Sequence, residues 1–201
     1  RQLTSGEACL DYWNSKDRFL NAPHDVNWEA TAVLMQELPT KRRHWLTKTC
    51  ANEAPTAVTL TRRREWTSDL CPRCGRYAED SLHVLTCEDP QAKSAWDASM
   101  ESLDQWLQEQ HTDINIRQII MQGVQSIRSS RIPTTRRENL LTPRHLKNEM
   151  GWYVMFTVCA AHGWDEQQQH HYNAMGKRKT GKRWLIALLK KLLEISWDQW
   201  A

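Results

Sequence analysis

Apolar side chains recur at three- and four-residue spacing along most of this chain. The clearest case is residues 91–110, where Ala92, Trp96, Met100 or Ser99, Leu103, Trp106 and Leu107 share one face and the acids fall largely on the other. That period predicts an α-helix. The same reading predicts helices over residues 27–38, with Trp28, Ala32, Met35 and Leu38 as its stripe and Pro39 closing it, and over 41–50 and 56–66. Residues 113–129 place Ile116, Ile119, Ile120, Val124 and Ile127 on one side, with Thr112 or Asp113 as the cap. Further helices are expected over 144–162 despite Gly151, from an Asp165 cap to Met175, and over 180–200, the most apolar of all. Few stretches alternate with period two, and hairpin-type turn dipeptides are missing. The fold class expected is therefore mainly α, a helical module with little or no sheet and at most a small hairpin at residues 71–77.

Residues 131–143 carry Arg, Thr and Pro with weak periodicity, and read as a linker. They would divide a helical region, 1–130, from a C-terminal helical module, 144–201. The first twenty-five residues say little.

Between the third and fourth predicted helices the pattern changes from periodicity to chemistry. Cys71, Cys74, His83 and Cys87 form a C-x2-C-x8-H-x3-C motif within 17 residues. Two cysteines flanking Pro72-Arg73, followed by Gly75 where the chain must turn, let two thiolates reach one metal. His83 and Cys87 stand at i and i+4, one above the other on a helix. Three sulfurs and an imidazole suit one tetrahedral, structural Zn2+, and a closed four-ligand set leaves no position for a substrate. The alternatives are buried thiols beside a core histidine, or a disulfide framework. Six Cys in 201 residues is sparse for the latter, and Cys9, Cys50 and Cys159 are isolated. A reducing, intracellular compartment, nuclear or cytoplasmic, is expected.

Composition alters this picture in two places. There are 11 Trp against 2 Phe and 4 Tyr; tryptophan serves either as a core filler or as a stacking platform for bases, and most of these fall on predicted apolar stripes. The net charge is only +3, but it is segregated. Residues 41–64 hold seven Lys/Arg against Glu53, residues 88–113 hold seven acids against Lys93, and residues 177–191 hold seven basic residues and no acid. Such segregation suits either a solvated set of helices or a face that binds a polyanion. No apolar run is long enough to span a bilayer, so no membrane is expected.

The segment Cys71-Pro72-Arg73-Cys74-Gly75, with Glu79-Asp80 and His83-Val84-x-x-Cys87, resembles the zinc-binding region downstream of the polymerase in reverse transcriptases of non-LTR retroelements. Asn27-Trp28, Leu38-Pro39 and Arg42-Arg43-His44-Trp45-Leu46-Thr47-Lys48 are similar to the segment preceding that finger in reverse-transcriptase-related proteins of eukaryotic microbes. Gly151-Trp152, the run from Gly176 to Trp184, and Trp197-x-x-Trp200 resemble the same group's C-terminal module, so the likeness covers residues 25–200. It implies a fragment: the C-terminal portion of a retroelement protein whose polymerase portion lies before Arg1.

The polymerase of such a protein needs an aromatic-x-Asp-Asp turn, and no Asp-Asp occurs here. A nuclease of the kind fused to these elements would show Pro-Asp, whereas the chain has only Asp89-Pro90. No catalytic residue is assigned and no small-molecule substrate is expected; this chain reads as no enzyme. Nucleic-acid binding is expected instead, with template RNA or target DNA held at its phosphates by Arg62, Arg63, Arg64, Arg73, Arg76, Lys177, Arg178, Lys179, Lys182 and Arg183. Residues 176–181 would enter the last helix where free amides favour phosphate. A structural or protein-interaction scaffold, including a degenerate relic without activity, is the second reading, and a nuclease with unrecognised carboxylates the third.

Overall fold

The computed structural model describes residues 26–129 and 152–201. The predicted linker, 131–143, lies outside the described residues, as do 1–25 and the first part of the helix expected over 144–162. Among the described residues there are eight α-helices and one 3-10 helix: α1 Trp28–Glu37, α2 Thr40–Cys50, α3 Ala57–Arg62, α4 Ser81–Thr86, α5 Pro90–Glu109, α6 Ile114–Ser126, the 3-10 turn Trp152–Thr157, α7 Trp164–Ala174 and α8 Gly181–Trp200. Two isolated β-bridges, Val26 with Ala161 and Leu70 with Ala78, stand in place of a sheet. The chain is mainly α, as its periodicity predicts.

α8 is the axis of the fold. Its apolar residues form one broad face, with Lys182, Arg183, Lys190, Lys191, Glu194 and Asp198 on the other, and a face so wide must be covered. Trp184, Leu185, Leu188, Leu189, Leu192, Leu193 and Ile195 are buried, and the helix packs on α7, α1, α5, α4 and the 3-10 turn. One hydrophobic cluster joins Leu34, Leu103 and Ile120 to Trp164, Leu188 and Leu192. α5 buries Ala92, Trp96, Met100, Leu103 and Leu107, the stripe its sequence spells out. α6 buries Ile116, Ile120 and Val124 and is capped by Asp113, which accepts from the Asn115 and Ile116 amides.

Three local expectations change. α1 buries Ala30 and Leu34 while Trp28 and Ala32 are exposed. Its cap explains the rotation: Asn27 accepts from the Ala30 amide, and its own Nδ2 donates to Asp165 Oδ2 at 3.2 Å, turning Ala30 toward α8. Asp165 is thus drawn into that contact, and α7 starts at Gly163 without a side-chain cap. α3 stops at Arg62, four residues short of the expectation, because Arg64 adopts a left-handed φ of 61° and the Glu65 amide folds back to the Leu60 carbonyl. Of the helix expected over 144–162, residues 152–157 form a 3-10 turn; Val158 then turns at φ 57° and Ala161 pairs with Val26.

Polar contacts pin the α5–α6 turn to the C-terminal helices. Gln168, fully buried, accepts from the Asp113 amide and donates to the His111 carbonyl, and Tyr172 donates to the Gln110 carbonyl at 2.8 Å. Trp184 donates its indole proton to Thr112 Oγ1 at 2.9 Å.

Candidate metal centre

The four residues of the motif come together. Their ligand atoms lie within 4.8 Å of one another, close enough for one ion to be held by all four. The knuckle is a narrow ribbon: the Cys71 amide donates to the Tyr77 carbonyl, the Glu79 amide to that of Asp69, and the Gly75 amide back to the Cys71 carbonyl. Gly75 takes φ 63°, the left-handed turn that a residue with a Cβ resists. α4 supplies the other pair. Asp80 caps it by accepting from the His83 amide at 2.6 Å, and Cys87 sits at its C-terminal boundary.

Cys71 and Cys87 are buried with sulfurs 3.8 Å apart, too far for a disulfide bond of about 2.05 Å. Cys74 Sγ lies 3.4 Å from His83 Nε2, both half-buried, and the Tyr77 ring leans over the imidazole with centroids 5.8 Å apart. The two ends of the cage differ in acidity. Burial raises the Cys74 thiol, but the Arg76 and Tyr77 amides, His83 and Cys71 outweigh it and bring the thiol down to about 6. Burial pushes Cys87 up to about 11, against the Asp89 amide and with the neighbouring sulfurs adding to the rise.

Three residues around the cage escape sequence reasoning in this role. Glu79 is buried; its Oε1 lies 3.8 Å from Cys71 Sγ and its Oε2 accepts from the Ala57 amide, tying the start of α3 to the knuckle. Arg73, expected on phosphate, turns inward and donates to the Gln199 carbonyl at 2.8 Å and the Val84 carbonyl at 3.3 Å. Arg128 donates to the Leu85 carbonyl at 2.8 Å and to that of Cys87, with its guanidinium 5.4 Å from the Trp96 ring centroid. The i+3/i+4 pattern cannot report such contacts, since they link elements distant in sequence.

The remaining expected phosphate contacts divide into three groups. Arg62 and Arg63 both pair with Glu53, at 2.6 and 2.8 Å, so this one acid offsets much of their charge. Arg64 and Arg76 are exposed. Lys177, Arg178, Lys179, Lys182 and Arg183 form an exposed basic strap at the start of α8. Lys177 reaches His111 Nε2 at 3.3 Å, Lys179 reaches Gln110 at 3.2 Å and Lys182 pairs with Glu29 at 2.5 Å. Arg178 and Arg183 have no side-chain partner among the described residues. Of the amides at the start of α8, Gly181 donates to Gln169 Oε1, Arg183 to Thr180 Oγ1 and Trp184 to the Thr180 carbonyl.

Arg73 bonds the last turn of α8, whereas the strap leads into and includes its first, so about 27 Å of helix separates knuckle from strap. Along α5 and α6 runs a third surface, an open groove of about 940 Å3 whose lining includes Trp96, Met100 and Met121 and the acids Glu88, Asp97 and Glu101. No helix among the described residues is long and apolar enough to cross a membrane. Compared with known proteins, the chain matches no family model, no curated protein and no solved structure.

Proposed function

We propose that this chain is a zinc-stabilised nucleic-acid-binding module, the C-terminal portion of a non-LTR retroelement reverse-transcriptase-related protein, and that it works by gripping template RNA or target DNA rather than by catalysis. The donor set supports zinc. A tetrahedral ion with bonds of about 2.3 Å to sulfur and about 2.0 Å to nitrogen sets its ligands about 3.8 Å apart for two sulfurs and about 3.5 Å for sulfur and nitrogen. The Cys71–Cys87 and Cys74–His83 separations are 3.8 and 3.4 Å. Zinc held there would join the ribbon to α4 and leave no coordination position for chemistry.

The basic strap carries the nucleic-acid reading. Five cations are crowded into seven residues on a corner braced by α7 and the α5–α6 turn, and two guanidiniums stand unpartnered among the described residues. Basic residues at a helix N-terminus oppose the helix dipole, so a polyanionic partner accounts for them better than stability does. Titration against single- and double-stranded RNA and DNA at two salt concentrations tests this. Micromolar, salt-dependent binding is expected; its absence overturns the reading.

A protein-binding scaffold is the second reading, and the knuckle favours it. Trp66, Leu70, Tyr77 and Leu82 are four of the seven exposed large apolar side chains among the described residues, and all lie within 66–82. A partner retained after nuclease treatment would support that reading over the first.

A further inference from the structure

We infer that Arg73 and Arg128 are the counter-cations of the metal centre and that, through them, metal occupancy and the docking of the last turn of α8 form one equilibrium. The inference rests on the zinc reading above.

α4 carries His83 and is followed at once by Cys87, and its six residues are too few to hold themselves as a helix. Its last carbonyls lack intrahelical partners, as at any helix end. Three of the carbonyls around its end are taken by two guanidiniums: Val84 by Arg73, Leu85 and Cys87 by Arg128. Neither arginine belongs to α4. Arg73 comes from inside the Cys71–Cys74 turn, and Arg128 from just beyond α6.

Charge gives these positions their meaning. Three thiolates around a divalent ion leave one net negative charge, and both guanidiniums stand on the backbone that carries His83 and Cys87. Without the ion the link between the Cys71–Cys74 turn and the His83–Cys87 segment is lost, and the carbonyls that both arginines hold lose their fixed place.

Arg73 also reaches beyond the site. Its Nη1 donates to the Gln199 carbonyl at 2.8 Å, so one guanidinium joins the end of α4 to the end of α8. The same turn of α8 holds Trp197 and Trp200 against Trp45 of α2, with ring centroids 5.3 and 6.0 Å away. Loss of metal would therefore loosen that turn, while the strap end, about 27 Å away along α8, stays in place. By reciprocity, removing the arginines must weaken metal binding.

The test measures zinc affinity by competition with a chromophoric chelator, for the whole chain and for Arg73→Met, Arg128→Met and Arg117→Met. Outer-shell partners of this kind cost roughly 10- to 100-fold in metal affinity when removed, and that loss is expected for Arg73→Met and Arg128→Met. Arg117→Met, which breaks a pair with Asp104 away from the cage, should leave zinc affinity unchanged. Hydrogen exchange of the unmodified chain gives a readout free of variants: chelation should speed exchange of the amides at residues 197–201 and leave those at 184–188 protected. Wild-type affinity in both arginine variants, or uniform exchange along α8 after chelation, overturns the coupling. A wild-type chain that binds no zinc at all overturns the metal reading itself.

Discussion

Gly181 lies against the Asp165 carbonyl so closely that a Cβ on it would sit 1.9 Å from that oxygen, with the Gln169 amide nitrogen 2.9 Å away. α7 and α8 can cross there only because residue 181 has no side chain. Gly181→Ala should therefore push the helices apart and lower stability by about 3 kcal/mol, the upper end of overpacking costs. Gly176→Ala is the contrast. Gly176 has φ 65° but nothing within 4 Å of its would-be Cβ, so only the left-handed backbone penalty of about 1–2 kcal/mol applies. Urea denaturation of both variants checks the order.

Removing a ligand should cost both metal and stability. Cys74→Ser is expected to reduce bound zinc from about one per chain to nearly none and to lower the melting temperature, because the binding free energy of a structural site is folding free energy. Metal analysis alongside thermal unfolding decides it. Unchanged zinc and melting temperature would refute the four-ligand site.

Charge on the strap and charge beside α3 should behave differently towards nucleic acid. Arg178→Ala and Arg183→Ala each remove a guanidinium with no partner among the described residues, and each should reduce the slope of log K against log salt by roughly 0.7–0.9. Arg62→Ala and Arg63→Ala remove cations that share Glu53, and should change the slope by much less. Equal effects of the two pairs would place the binding face elsewhere.

The Asp104–Arg117 pair predicts part of the acid sensitivity. The hydrogen bond from Arg117, at 2.6 Å, holds the Asp104 carboxyl below its ordinary value, with burial opposing and the Arg117 charge assisting. A depressed carboxylate contributes stability that is fully present above its unfolded value, about pH 4, and is lost as pH falls through the folded value. Stability measured from pH 6 down to pH 2.5 should decline less steeply for Asp104→Asn than for the parent. An identical decline would mean the pair contributes nothing.

Much of this protein is determined within a few residues of any given position. The α class, the buried faces of α5 and α6, the Asp113 cap and the meeting of Cys71, Cys74, His83 and Cys87 depend on spacings of two to nine residues, which local backbone geometry converts directly into shared faces and turns. Other features depend on which distant groups arrive. The stripe expected for α1 runs through Trp28 and Ala32, and the contact of Asn27 with Asp165, 138 residues away, goes with the burial of Ala30 and Leu34 instead. An arginine run is the same in sequence whether it faces solvent or an acid, and only the fold brings Glu53 to Arg62 and Arg63. Arg73 belongs to the metal motif by sequence, yet its hydrogen bonds are set by a carbonyl 126 residues away at the end of α8. Tertiary structure alone decides such roles, because a long cationic side chain takes its function from whichever oxygen the packed helices leave within reach.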